Sequence, residues 1–238
     1  SEYTTGVTTS GTPGSATAFT KIEVTTSTPQ VLYYYCTQHS GMGNMVQVPD
    51  NYSSGDRAFT MGRYAEASPY VFNTITYSQM SSNANFLDFG DLTYAQYAAA
   101  TYCTGIYAGS AGGSPDGGGT SIKTINRFVT KTLGNAADFG DLNTDTYYTT
   151  GHSTSTRGYK FGGTDQPSPG ITNVIESWIA ASTGGATDFG DLHTGVTSPS
   201  ACGSSTRGLN GGGDTPTTLN VIDYITLATE GNATDFGD

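Results

Sequence analysis

Apolar and polar positions alternate with period two in short runs, and nowhere do they hold a helical period for long. Lys21-Ile-Glu-Val24 sets its apolar residues on one face and its charges on the other, as a strand with one wet face does. Val31-Leu-Tyr-Tyr-Tyr-Cys36, Asn73-Thr-Ile-Thr-Tyr77 and Asn220-Val-Ile-Asp-Tyr-Ile225 are short, β-branched and aromatic, which suits a pleated surface. No window keeps apolar residues at helical spacing beyond about two turns. The best helical stretch is 171–181, but its register with equivalent segments elsewhere in the chain predicts a strand pair. The pattern as a whole predicts an all-β protein.

The strands recur at a fixed step. Asp-Phe-Gly-Asp begins at Asp88, Asp138, Asp188 and Asp235, at intervals of 50, 50 and 47 residues. Arg57, Arg157 and Arg207 keep that step, with Tyr107 in the remaining slot, and so do Ile75, Ile125, Ile175 and Ile222. The shorter last interval falls between Arg207 and Asn220, in a Gly/Pro-rich stretch where a loop absorbs a deletion at little cost. Residues 49–238 therefore hold four copies of one unit, at about 51–100, 101–150, 151–200 and 201–238, and residues 1–48 form a separate segment. A period near fifty with several short strands is that of a propeller blade, so four copies predict a small β-propeller. Met45-Val-Gln-Val48 would supply a strand to close the ring. A stack with contacts only between neighbours, or a trimeric fibre sharing strands, fits the same pattern.

Composition narrows the function classes. Charged residues make up 12% of the chain, there are 33 glycines, and Ser and Thr fill the polar positions, a strand-and-turn composition common in extracellular fibre proteins. Sixteen Tyr and ten Phe with a regular repeat argue against disorder. A net charge of −11 repels phosphate backbones and argues against nucleic acid. No apolar run has the length of a membrane span. The chain begins at Ser1 and stops inside a repeat motif at Asp238, which reads as a fragment, a processed form or a sequence with missing ends. Cys103 and Cys202 take nearly equivalent places in non-adjacent copies and are expected to be small buried hydrophobes, with a disulfide left open.

Three residue sets carry candidate chemistry. Cys36, His39 and Met42 supply the thiolate, imidazole and weak thioether of a mononuclear copper loop. The second equatorial histidine has no natural donor, since His152 and His193 lie inside the repeats; packing of the loop, with burial of the Tyr33–Tyr35 strand, is the alternative. Asp88, Asp91, Asp138, Asp141, Asp188, Asp191, Asp235 and Asp238 either converge in pairs on calcium or form Asx-type turns that anchor the Phe. Arg57, Arg157 and Arg207 either ring an axis and bind an anionic sugar or bond carbonyls and hold blades together. Asp-Phe-Gly also occurs in kinases, but no phosphate-covering glycine loop or His-Arg-Asp loop accompanies it here. No Ser-His-Asp set or facing carboxylate pair assembles, so no catalytic residue and no enzyme is expected. Tyr94, Tyr97 and Tyr147 are candidate liners of a carbohydrate site.

Two stretches carry a resemblance. Ser1-Glu-Tyr-Thr-Thr-Gly-Val7 and Tyr33-Tyr-Tyr-Cys-Thr-Gln-His-Ser-Gly-Met-Gly43 resemble the C-terminal half of cupredoxin-like domains in structural proteins of marine tailed phages, cyanophages especially. Ser204-Ser-Thr-Arg-Gly-Leu-Asn-Gly-Gly-Gly213, Asn220-Val-Ile-Asp-Tyr-Ile225 and Gly231-Asn-Ala-Thr-Asp-Phe-Gly-Asp238 resemble kelch-like repeats of the same phage group. Tyr107 in place of Arg, Met61-Gly-Arg63 in place of a glycine pair, and Trp178 as the sole tryptophan depart from that pattern. The resemblance implies a half cupredoxin-like β-sandwich followed by a kelch-like β-propeller. It further implies a virion location, as a tail fibre or appendage component that is homo-oligomeric, meets other virion proteins and touches a host glycan or receptor. A carbohydrate-binding module and a copper-binding protein are the alternatives.

Overall fold

A computed structural model describes residues 2–25, 28–29, 31–36, 43–47, 57–81, 85–117, 119–165, 170–182 and 184–238. Two compact units divide the chain, Ser1–Ser53 and Ser54–Asp238. All regular structure among the described residues is β, in separate antiparallel sheets, none of them closed into a barrel.

The first unit contains two hairpins. Val7–Ser10 (β1) pairs with Phe19–Ile22 (β2), and Val31–Tyr35 (β3) with Gly43–Gln47 (β4). Tyr33, Tyr34 and Tyr35 are all exposed, so the expected burial of this strand is not what the structure has. Successive residues point to opposite faces, and both faces of β3 are therefore wet.

The second unit repeats a four-strand meander. The first copy contributes Arg57–Tyr64 (β5), Val71–Gln79 (β6) and Leu87–Asp91 (β7). The second has Ala100–Cys103 (β8), Tyr107–Ala111 (β9), Thr124–Val129 (β10) and Ala137–Asp141 (β11). Thr146–Tyr147 (β12) begins the link to the third copy, which has Thr150–Ser153 (β13), Arg157–Phe161 (β14), Val174–Ile179 (β17) and Thr187–Asp191 (β18). Thr164–Asp165 (β15) and Gly170–Ile171 (β16) complete a small sheet with β12. The fourth copy has Ser200–Gly203 (β19), Arg207–Gly211 (β20), Ile222–Thr226 (β23) and Thr234–Gly237 (β24), with a short hairpin of Asp214–Thr215 (β21) and Thr217–Thr218 (β22) in its loop.

Each sheet packs on the next one, and the shared interface is the core. Ile75, Phe89 and Leu92 of the first copy meet Ala108 and Phe128 of the second. Ile125, Phe139 and Leu142 of the second meet Trp178, Ala180 and Ala186 of the third. Tyr159, Ile175 and Phe189 of the third meet Ile225 and Leu227 of the fourth. Alternation along the third strand of a copy decides which way each side chain points: Ile175 faces the following copy, while Glu176, Trp178 and Ala180 face the preceding one.

The Asp-Phe-Gly-Asp motif owes its recurrence to a β-bulge. Ile75 pairs with Gly90 and Thr76 with Asp88, so Phe89 is the extra residue, and the same shift recurs opposite Phe139, Phe189 and Phe236. A bulge re-aims the residue it adds, and here it drives the Phe ring into the interface in the first three copies. The glycine that follows has positive φ (152°, 154°, 144° and 142°). A Cβ on Gly90, Gly140 or Gly190 would lie 2.4, 2.5 or 2.4 Å from a carbonyl oxygen of the following copy, so both the conformation and the close approach demand glycine.

Candidate functional site

Three carboxylates of the repeated motif go to local backbone. Asp138 Oδ1 accepts the Gly140 N–H at 3.1 Å, Asp188 Oδ1 that of Gly190 at 3.0 Å, and Asp235 Oδ1 that of Gly237 at 2.8 Å. Asp141 lies 3.6 Å from the Lys123 ammonium on an open surface. Among the described residues no three or more His, Cys, Asp or Glu side chains converge as metal ligands. Cys36 follows β3 directly, while His39 and Met42 lie outside the described residues. Cys103 and Cys202 are exposed, not the buried hydrophobes predicted for them; along β8 alternation buries Ala100 and Tyr102 and turns Cys103 to the other side.

Of the arginine series, Arg57 spans copies, while Arg207 lies 4.6 Å over the Tyr224 ring of its own copy. Arg57 donates to the Thr130 carbonyl of the second copy at 2.7 Å and lies 4.9 Å over the Tyr77 ring. Tyr107 takes the Arg slot in the second copy, and Arg127 on the adjacent strand takes the place of Tyr77. The guanidinium sits 4.7 Å over Tyr107 and 4.5 Å over Phe139, and donates to the Ala180 carbonyl of the third copy at 3.0 Å. Cation and ring have exchanged strands, and the equivalent carbonyl is still bonded. In the third copy the Tyr159 hydroxyl donates to the corresponding carbonyl, Leu227, at 3.1 Å. A cleft of about 280 Å³ has Arg57, Tyr102, Cys103 and His152 on its walls; the Arg57 guanidinium there is already engaged by Thr130 and Tyr77.

A second series bonds copies through buried polar side chains. Asn126, Glu176 and Asp223 follow the repeated Ile and point back toward the preceding copy. Asn126 Oδ1 accepts the Thr93 N–H at 3.0 Å, Glu176 Oε1 that of Asn143 at 2.6 Å, and Asp223 Oδ2 that of His193 at 3.1 Å. All three acceptors are buried, where an unmet donor costs about 1–3 kcal/mol. The strand beside them supplies a polar neighbour: Ser110 through Gln96, Lys160, and Asn210. Lys160 and Glu176 are both 0% exposed and 3.4 Å apart, an ion-pair separation without a well-directed hydrogen bond. Burial pulls the Lys160 pKa down from the ordinary lysine value, and the Glu176 carboxylate opposes that. The equivalent pair in the first copy is Thr60 and Thr76, with hydroxyls 2.7 Å apart.

Tyrosines gather where the inter-copy links pass the loops that follow β5 and β9. Tyr64 stacks 6.5 Å from Tyr70 and lies tilted 5.2 Å from Tyr97; Tyr97 meets Tyr148 edge-on at 6.0 Å, and Tyr148 lies 4.6 Å from Tyr147. Tyr64, Tyr70 and Tyr148 are exposed, Tyr97 is half-buried and Tyr147 is buried. The links are held in one shape: Ala98, Tyr148 and Ser198, each fifty residues apart, take φ of 55°, 50° and 54°. Thr149 N donates to Ala98 O and Ser198 N to Tyr148 O, which lays successive links side by side. Burial and the adjacent Tyr148 hydroxyl hold the Tyr97 phenol well above the ordinary tyrosine range. Behind Tyr64, the loop around Gly117 is pinned by Asp116, which accepts from Thr120, Gly119 and Ser114. The Thr120 hydroxyl first, and then those backbone N–H groups, hold the Asp116 carboxyl at about 2. Amphipathic rings with few rotatable bonds, fixed on a rigid edge, are well suited to contact a ligand that has both apolar faces and hydroxyls.

Of the three tyrosines singled out from sequence, Tyr97 belongs to this rim, Tyr147 sits beneath it, and Tyr94 is exposed without a ring contact to it. Tyr64, Tyr70 and Tyr148 had no sequence signal, because only the fold places a strand end next to a link. The Asn126, Glu176, Asp223 series did have one: a polar residue after each repeated Ile, inside an otherwise apolar strand. No family model matches this chain, and no curated protein matches it.

Proposed function

We propose that this chain is a non-catalytic structural and adhesive module of a phage virion, a tail fibre or appendage component that holds a surface glycan on its tyrosine rim. The rim carries the reading. Tyr64, Tyr70, Tyr97 and Tyr148 form one contiguous aromatic edge over the first two copies, whereas Asp138, Asp188 and Asp235 are bonded to local backbone and Arg57 and Arg127 to carbonyls of the following copy. Kelch-like blades meeting face to face, preceded by part of a cupredoxin-like sandwich, are the architecture proposed with it, and the virion setting rests on the sequence resemblance. A glycan array probed with the full chain is the test. Binding to a defined set of sugars, weakened by about tenfold or more in a Tyr64→Ala/Tyr148→Ala variant that unfolds like the parent, is the expected result. A blank array would overturn the adhesive reading and leave a purely structural role, with the rim as a contact for another virion protein.

A further inference from the structure

The tyrosine rim is a row and not a pocket. Its ring contacts run from Tyr70 to Tyr64 at 6.5 Å, Tyr64 to Tyr97 at 5.2 Å and Tyr97 to Tyr148 at 6.0 Å, and among the described residues no ring contact joins Tyr70 back to Tyr97 or Tyr148. None of the four rings lines the cleft at Arg57 and His152. Backbone holds the row from behind. The Ala65 N–H donates to Tyr70 O at 2.7 Å, which fixes Tyr64 and Tyr70 at the two ends of one turn. Tyr97 and Ser114 each donate an N–H to the other's carbonyl, at 3.1 and 2.9 Å. An enclosed pocket takes a single sugar or the end of a chain. An open row of rings takes the side of a chain, because each added sugar finds a further apolar face to lie on.

The charges set beside the row are acidic. Glu66 lies exposed in the turn between Tyr64 and Tyr70. The loop of Asp116 touches the row at Gly117, where a Cβ would come 3.4 Å from the Tyr64 ring. Asp116 accepts from Thr120, Gly119 and Ser114, the Thr120 hydroxyl foremost, and with its carboxyl held at about 2 it is charged at any ordinary working pH. The basic side chains nearest in sequence are engaged: Arg63 lies 4.1 Å over the Phe72 ring, and Lys123 lies 3.6 Å from Asp141. Exposed charges act over roughly 10 Å at ordinary salt, so an anionic sugar on these rings meets like charge. We propose, resting on the reading of the rim as a glycan site, that its ligand is an uncharged polysaccharide held along its length by Tyr70, Tyr64, Tyr97 and Tyr148, and that Glu66 and Asp116 turn acidic polysaccharides away. Discrimination of this kind uses a repulsive element beside the attractive one.

Titration of the full chain with oligosaccharide ladders tests this. Uncharged glucan, mannan and galactan ladders, from monosaccharide to hexasaccharide, are compared with uronate, sialylated and sulfated oligomers of matching length. Affinity for an uncharged ladder is expected to rise with length and level off once the row is spanned, and matching acidic oligomers to bind about tenfold weaker or more. Asp116→Asn with Glu66→Gln, checked by thermal unfolding, is expected to narrow that gap, chiefly by tightening the acidic oligomers. Glu66→Gln alone, on an exposed turn, narrows it by a smaller step. A monosaccharide that binds as tightly as the hexasaccharide, acidic oligomers that bind as well as uncharged ones, or a gap that neither variant moves would each overturn this inference while the adhesive reading stands. No binding by any sugar would overturn that reading, and this inference with it.

Discussion

At the scale of single residues, two positions show what the repeat requires. Gly140 combines positive φ with a carbonyl 2.5 Å from where a Cβ would be, whereas Gly237 shares the conformation without the neighbour. Gly140→Ala is expected to cost about 1–3 kcal/mol more than Gly237→Ala, the part due to overpacking; urea unfolding of the two variants measures the difference. Lys160 and Glu176 are a fully buried ion pair at registers where the second copy has Ser110 and Asn126. Lys160→Ala strands a buried carboxylate and is expected to cost about 3–5 kcal/mol. Replacing both residues with the second copy's own pair, Lys160→Ser with Glu176→Asn, is expected to cost clearly less, since it leaves no lone charge. Denaturant midpoints that rank the double variant below the single one would reject that account.

At the scale of elements, neighbouring strands act as interchangeable supports for one interaction. In the first and fourth copies the second strand carries Arg and the third Tyr; in the second copy Tyr107 and Arg127 are reversed. Arg127→Ala removes a charge-assisted bond to Ala180 O and two ring contacts, for an expected loss of about 2–3 kcal/mol. The exchange Tyr107→Arg with Arg127→Tyr restores the arrangement of the first copy and is expected to recover most of that loss, which calorimetry of the three proteins checks. No recovery would mean that the strand on which Arg127 sits matters, and not only the position of its cation. The bulge opposite Asp-Phe-Gly-Asp is also an element-scale device. It turns a strand residue into a core residue at every interface, and so one four-residue motif recurs while most of its surroundings vary.

Across the repeat unit as a whole, stability follows from interfaces between consecutive copies, each with an apolar cluster, a carbonyl bonded by Arg or Tyr, and a buried acceptor. Such a row behaves as a sum of copy and nearest-neighbour terms. Asp223→Ala removes the acceptor for the His193 N–H and is expected to cost about 1–3 kcal/mol. The loss should be local: hydrogen exchange should quicken in the fourth copy and at His193, and stay unchanged in the first. Uniform quickening across all copies would show one cooperative block instead. The all-β class, the four copies, their step and the strands around each Ile were legible in the sequence, since period-two alternation and a fixed repeat are local properties of the chain. The Phe of the motif as an anchor was legible too, although the bulge that delivers it was not. Tertiary structure alone decided which face of each strand meets which copy, that Arg127 replaces the missing Arg of the second copy, and that Tyr64, Tyr70, Tyr97 and Tyr148 share an edge. The physical reason is sequence distance: those partners lie some 30 to 70 residues apart, and only the stacking of one sheet on the next brings them within bonding reach.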